Sequence, residues 1–412
     1  MQAAPYLIKE LSLLIPSPSS FWAALWYWPG AFGYHLLYLT QLWRSEYQVR
    51  LHGPKILTRN QVRRQYPGLT ALHGQYGVTM AEAQMHDSRM CLNTLFTAAI
   101  DNYHKGMVGA TLVNYCEFKD FTKDENGKIT GGVCVDTLDK NAKPFNVKAK
   151  VVVNCAGVHA DVIRQMAQPE KTKRIVPSRG THLIFKKGFF QEEGLGLIVP
   201  ETTDGRLLFV INYMGYPMVG TTDEFCEATH NCEPSEAEID FLIDEIKPFL
   251  GKDYDYKGNL LSAWAGLRPL VKSEPSDVYV DPDYVPTIRD KVRNFFQTRL
   301  LALSKWVHSG KKKSSTAAIS RNHVIEVLEE TGLVSLMGGK WTAYRVQGEQ
   351  TTDRLLKLHP ALAKKVVYET GQTLQFHLIG SYSKCEVTDG LKLPYDALFK
   401  RYEDHFVFDF GV

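Results

Sequence analysis

A mixed α/β fold with an antiparallel-sheet domain is what this sequence predicts, on three observations. Residues 151–157 (Val-Val-Val-Asn-Cys-Ala-Gly) read as a β-branched strand and a glycine turn feeding a helix over 158–167. Residues 332–356 repeat that pattern: a strand-like run to Met337, then Gly338-Gly339, then a helix-like run from Ala343. Between the two lie short strands at 180–185, 207–212 and 216–220, the last two close enough for a hairpin. Strands followed by helices build parallel sheet; strands joined by tight turns build antiparallel sheet.

The N-terminal element is unusual in composition. Residues 11–43 hold no Asp, Glu, Lys or Arg but include Phe21, Trp22, Trp26, Tyr27, Trp28, Phe32, Tyr34, Tyr38 and Trp43. Pro16, Pro18, Pro29, Gly30 and Gly33 interrupt it, which argues against one membrane-crossing helix. Trp and Tyr at this density suit a membrane surface, where an apolar ring meets a wet edge. Burial in a core is the alternative.

Residues 50–115 read as mixed α/β, with a helix over 88–103 carrying Met90, Leu92, Leu95, Phe96, Ala99 and Ile100 at helical spacing. Strands follow over 110–118, 133–138 and 149–154, with a polar turn at Asp124-Glu125-Asn126-Gly127. A helix over 235–249 has a serine N-cap at Ser235 and an acidic first turn at Glu236 and Glu238. Residues 287–307 read as an amphipathic helix, with Ile288, Val292, Phe295, Phe296, Leu300, Leu303 and Trp306 near one face. Between Arg289 and Lys313 stand eight basic residues and one acid, a balance suited to an anionic membrane. A solvated surface helix fits the same pattern.

The 412 residues allow two or three domains, and 44% apolar with 23% charged content is that of a folded globular chain. A formal charge of +3 gives no reason to expect nucleic acid. The seven cysteines form no C-x-x-C pair, and Cys91, Cys134 and Cys155 lie in apolar runs where small buried thiols are expected. Cys226, His230 and Cys232 share a loop, but their spacing fits no zinc pattern, so no metal site is expected. The set suits a reducing compartment.

Gly338-Gly339-Lys340-Trp341-Thr342-Ala343-Tyr344 carries the most chemistry. Two glycines let a backbone approach a planar ligand, and the N–H groups of a starting helix favour an electron-rich edge. Four further motifs precede it: Ser178-Arg179-Gly180-Thr181-His182; Asp204-Gly205-Arg206 with Val219-Gly220-Thr221-Thr222-Asp223; Ala263-Trp264-Ala265-Gly266-Leu267-Arg268-Pro269-Leu270; and Ser320-Arg321-Asn322-His323.

In that order these motifs resemble the FAD-dependent glycerol-3-phosphate dehydrogenases, membrane-bound enzymes that pass electrons to quinone; the resemblance runs from about residue 4 to about residue 402. It implies oxidation of glycerol 3-phosphate to dihydroxyacetone phosphate. His182 resembles the active-site histidine, Arg268 and Arg321 the substrate-binding arginines, and Lys340 a lysine beside flavin and substrate. Catalytic roles are thus expected at His182, Arg268 and Lys340. Asn154, Ala156, Gly157, Gly338, Gly339, Lys340, Trp341 and Thr342 are expected around the cofactor. Ubiquinone and a membrane surface, met through 11–43 and 287–307, are the implied partners, in a homodimer or complex at the mitochondrial inner membrane.

No G-x-G-x-x-G follows a strand anywhere in the chain. The expected fold is therefore an FAD-dependent oxidoreductase lacking its N-terminal dinucleotide-binding βαβ unit and trimmed at the other end. The expected organisation is a partial FAD domain over 1–174, a substrate domain over 175–330 with a basic insertion at 277–317, a return to the FAD domain over 331–372, and the start of a C-terminal region over 373–412. A non-catalytic subunit of a membrane complex and another member of the amine-oxidising flavin family are the alternatives. Gly-Gly-Lys-Trp-Thr-Ala-Tyr and Gly-Leu-Arg-Pro-Leu speak against the second of these.

Overall fold

Alternating apolar residues place β1 (Ile8–Ser17) in the middle of the largest sheet, with Leu11, Leu13 and Leu14 buried. The computed structural model describes residues 4, 6–17, 21–42, 51–70, 72–101, 103, 107–200, 202–251, 254–272, 322–364, 373 and 376–380. The insertion expected at 277–317, its helix over 287–307, Arg321, and residues 381–412 lie outside them.

β1 runs antiparallel to β3 (Tyr76–Met85), whose outer edge carries β2 (Lys55–Leu57), and parallel to β9 (Leu195–Val199). The sheet continues through β10 (Leu208–Tyr213), β11 (Tyr216–Gly220), β8 (Ile175–Phe185) and β12 (Glu224–Phe225), and β13 (Leu260–Val271) also pairs with β8. Strands from both sides of residue 174 share this sheet, so the boundary expected there is not a break between sheets. The β10–β11 hairpin turns at Met214 and Gly215, both at positive φ, the geometry of a tight two-residue loop.

The core lies between this sheet and α5 (Glu236–Leu250). Leu14, Leu183, Phe185, Leu197, Val199 and Val219 face Leu242, Ile243 and Ile246 of the helix. Its start is the capping arrangement expected at Ser235: Ser235 Oγ accepts from Glu238 N, and the Glu238 carboxylate accepts from Ser235 N. Two short or peripheral helices, α2 (Arg59–Gln65) and α3 (Asp87–Ala99), flank β3 in sequence.

A second sheet joins the two strand–glycine–helix units. β7 (Val153–Asn154) runs parallel to β15 (Leu333–Gly338), which pairs antiparallel with β14 (His323–Leu328). α4 (Ala160–Ala167) follows β7; α6 (Tyr344–Leu358) and α7 (Pro360–Ala363) follow β15. Arg164 of α4, 1% exposed, is forked onto Glu326 of β14 (Nη2–Oε1 2.8 Å) and also meets Asp161. A third sheet is a meander of β4 (Cys116–Lys123), β5 (Ile129–Asp136) and β6 (Phe145–Lys148). Its first turn is the expected one, with Asp124 Oδ1 accepting from Asn126 N and Lys128 N, both at 2.9 Å.

Several expectations shift. The segment 11–43 is two elements: residues through Ser17 belong to the buried strand β1, and only α1 (Phe21–Leu42) is available as a surface. α1 is one helix despite Pro29, because Pro29 is exposed and the carbonyl it leaves without a donor, that of Leu25, lies on an exposed turn that water can reach. Ala24 and Ala31 are buried beside Val78, whereas Trp22 is 74% exposed and Phe21, Leu25, Tyr27, Phe32, Leu36 and Leu39 are also exposed. Among the described residues no helix is long and apolar enough to cross a membrane. The strand expected over 110–118 starts only at Cys116. Cys91 and Cys155 are exposed and Cys134 is half-buried, rather than all three buried: Cys91 lies on α3, where Met90 and Thr97 are the buried residues, and Cys155 stands in the turn after β7.

Candidate active site

β8 is the spine of the site because it has a partner on each side. His182 pairs with Gly220 of β11 and with Trp264 of β13. The Trp264 ring stacks on the imidazole, centroids 4.4 Å apart and planes 12° from parallel. A Cβ on Gly220 would overlap the imidazole, so only glycine admits it there. Two residues earlier on the same face, Gly180 pairs with Gly266, and a Cβ on Gly180 would overlap the Arg268 guanidinium. The glycine in each motif is thus space for a functional side chain from the neighbouring strand.

Arg268 is held from behind. Its Nη1 donates to the Thr222 carbonyl (3.1 Å), its Nη2 to Thr221 Oγ1 (2.9 Å), and Asp223 Oδ1 lies 3.7 Å from Nη1. Asp223 is buried and accepts from Ser178 Oγ. Burial, and then the positive charge of Arg268, push the His182 pKa from 6.5 down to about 4, against the opposing pull of Asp87. The imidazole is neutral at pH 7, and its Nδ1 is buried without a hydrogen-bond partner among the described residues.

The second half of the site is at the carboxyl ends of β7 and β15. Their register (Val153↔Val334, Asn154↔Ser335) brings both glycine turns to the same end of neighbouring parallel strands, where open α/β sheets bind ligands. Asn154 is buried and ties the turn together: Oδ1 accepts from Ala156 N (3.1 Å), while Nδ2 donates to the Ala160 carbonyl (2.9 Å) and to Ser335 Oγ (3.2 Å). Gly157 has φ +56° with open space where a Cβ would stand.

Gly338 and Gly339 have φ +74° and +89°. A Cβ on Gly338 would lie 2.6 Å from Val271 Cγ1, and one on Gly339 2.7 Å from Gln347 Nε2. Gln347 donates to the Lys340 carbonyl (2.7 Å), fixing the turn on α6. Lys340, Trp341 and Thr342 are exposed. Val271 belongs to β13, the strand that carries Arg268, so the Gly338–Gly339 turn abuts the end of that strand.

His182 and Arg268 are therefore together. Asn154, Ala156, Gly157 and the 338–342 turn form a second group at one sheet end, joined to the first through β13 and β15. Arg321 is outside the described residues; its neighbour Asn322 places its carbonyl 2.9 Å from where a Gly338 Cβ would stand. Sequence reasoning gave no role to Asp87, Trp264, or the Thr221-Thr222-Asp223 run behind Arg268. Trp264 and the 221–223 run both stood in quoted motifs, but only the strand pairing reveals which side chains they hold.

The match to known proteins covers most of this framework. The model of the FAD-dependent oxidoreductase family matches residues 26–345. The chain belongs to that family. Among curated proteins it is similar to the mitochondrial glycerol-3-phosphate dehydrogenase of Rattus norvegicus, 30% identical over 365 residues, covering 87% of this chain and 42% of the rat protein. The probable mitochondrial glycerol-3-phosphate dehydrogenase of Caenorhabditis elegans is 27% identical over 394 residues, covering 93% of this chain and 47% of that one. The chain thus spans less than half the length of these relatives. Among solved structures, the glycerol-3-phosphate dehydrogenase of Bacillus halodurans, complexed with FAD, superposes with a TM-score of 0.61 at 20% identity, over 93% of this chain and 57% of that one. At that identity the likeness shows a shared fold.

Proposed function

We propose that this member of the FAD-dependent oxidoreductase family serves the oxidation of glycerol 3-phosphate to dihydroxyacetone phosphate. The observation that carries this is a neutral histidine beside an anchored arginine on a glycine-cleared sheet face. That face adjoins two glycine turns at the ends of parallel strands. The named relatives support it.

The two turns fit a flavin: both permit close backbone approach, the Gly157 side is open, and the chain after Gly339 leads into a helix. Asn154, Ala156, Gly157 and Gly338 to Thr342 would hold FAD, which when bound supplies the acceptor for a hydride. Lys340 would place positive charge beside it. Arg268, always protonated and braced by Thr221 and Thr222, would meet the phosphate with its planar guanidinium. Arg321 is proposed as a second phosphate ligand. Neutral His182 accepts the proton of the C2 hydroxyl as the C–H bond is broken. A bound dianion beside Arg268 would offset that residue's charge and raise the proton affinity of His182 when it is needed.

Electrons would pass to ubiquinone, with the protein resting on the mitochondrial inner membrane through the exposed aromatic face of α1. The helix expected over 287–307, within the insertion at 277–317, is proposed as a second, basic contact. An absorbance spectrum of the purified chain tests the cofactor assignment, and loss of the flavin band on adding glycerol 3-phosphate tests the substrate. Flavin without that response would refute the substrate; no flavin would favour a non-catalytic subunit.

A further inference from the structure

We propose that Glu238, at the start of α5, is a positioning residue for the His182–Arg268 site; this rests on reading that site as the phosphate-ester site. Glu238 is 5% exposed, and the sequence marks it only as part of the acidic first turn of α5. As the fourth residue of a capping box it would need only its contacts to Ser235. It makes two more. Its Oε1 accepts from Thr222 Oγ1 at 2.7 Å, and its Oε2 pairs with Arg179 Nε at 2.8 Å.

Thr222 is the junction. Its hydroxyl donates to Glu238 and accepts from the backbone N–H of Thr181 (2.9 Å), the residue before His182. Its carbonyl accepts from Arg268 Nη1 (3.1 Å). One buried carboxylate therefore orients one threonine, and that threonine sets both β8 at His182 and the guanidinium of Arg268. Arg179 sits two residues before Thr181 on the same strand and is pulled to the same carboxylate. A hydroxyl free to rotate would satisfy Thr181 alone; the charge on Glu238 fixes which way its proton points. Arg268, whose long side chain has many rotamers, would otherwise lose the immobile carbonyl on which its Nη1 rests.

The experiment compares glycerol 3-phosphate affinity, by calorimetric titration, for the wild-type chain and five variants. Glu238→Gln and Thr222→Val should each weaken binding about tenfold, the scale of one charge-assisted hydrogen bond. Thr222→Ser should restore wild-type affinity. Ser235→Ala removes the helix cap but not the Thr222 contact, and should lower thermal stability while leaving affinity unchanged. Arg268→Ala should abolish binding. In parallel, an NMR titration should show the His182 pKa rising in Glu238→Gln, as Arg268 is held less firmly beside it.

Equal loss in Ser235→Ala and Glu238→Gln would reduce Glu238 to a helix cap and overturn the proposal. Loss in Arg268→Ala with wild-type affinity in both Glu238→Gln and Thr222→Val would also overturn it, leaving the site assignment intact. Wild-type affinity in Arg268→Ala, or no binding by the wild-type chain, would overturn the site assignment and this inference with it.

Discussion

At the scale of single residues, the site works by absence as much as by presence. Gly180 and Gly220 leave room for Arg268 and His182, so Gly180→Ala should displace the guanidinium although the arginine remains. We expect glycerol 3-phosphate affinity in that variant to fall about as far as in Arg268→Lys, where a two-pronged donor becomes a point charge. Normal binding by Gly180→Ala would show that the arginine can act from elsewhere. The pH dependence follows from His182. Its folded value of about 4 lies below its ordinary 6.5, so the unfolded chain binds the proton more tightly. The stabilisation is complete above pH 6.5 and is lost as pH falls from there through 4. His182→Asn should flatten denaturation curves across that window; an unchanged slope would contradict the buried neutral imidazole.

At the scale of elements, the buried ion cluster of Arg164 ties α4 to β14 and so holds the Gly157 turn that precedes α4 against the second sheet. Removing one member of such a cluster leaves charge buried and unpaired. Arg164→Ala should cost about 3–5 kcal/mol in chemical denaturation. Arg164→Lys should recover only part of it, because the fork onto Glu326 is lost. A change below about 1 kcal/mol would mean that water reaches Glu326 and Asp161. The helix α1 makes a different demand. It carries no charged residue; Ala24 and Ala31 lie beside Val78 of β3 with Trp28 half-buried against them, whereas Phe21, Trp22, Tyr27, Phe32 and Tyr34 are exposed. Its binding to lipid vesicles should therefore survive high salt, which screens charges and not apolar burial. Trp22→Ala should weaken co-sedimentation with vesicles roughly tenfold or more, since burying such a ring contributes about 2 kcal/mol. Unaltered sedimentation would assign this face to another partner.

At the scale of the whole molecule, the proposed chemistry depends on two sheets meeting. β13 crosses from one to the other: it pairs with β8 along its length, and Val271 at its end touches the Gly338 turn. A bulkier residue at that junction should disturb both halves together. Gly338→Val should lower retained flavin and glycerol 3-phosphate affinity in the same preparation. Loss of one without the other would separate the two halves.

Much of this was legible in the sequence, for physical reasons. Strand and helix periods are local, so β8, β11, the Ser235 cap and both strand–glycine–helix units could be read from spacing and turn residues. Two glycines between a strand and a helix also serve plain tight packing, so the motif gained its meaning from the order of the motifs that precede it. The sequence could not show that a glycine in one strand clears space for a side chain in the next, since that depends on register between segments far apart in the chain. Nor could it show that β1 is interior while α1 is exposed: both are apolar, and only the sheet decides which is covered. The depressed basicity of His182 and the linking role of Glu238 have the same origin. Each is a property of groups brought within a few ångströms by β8 pairing with β11 and β13, and no stretch of sequence contains that proximity.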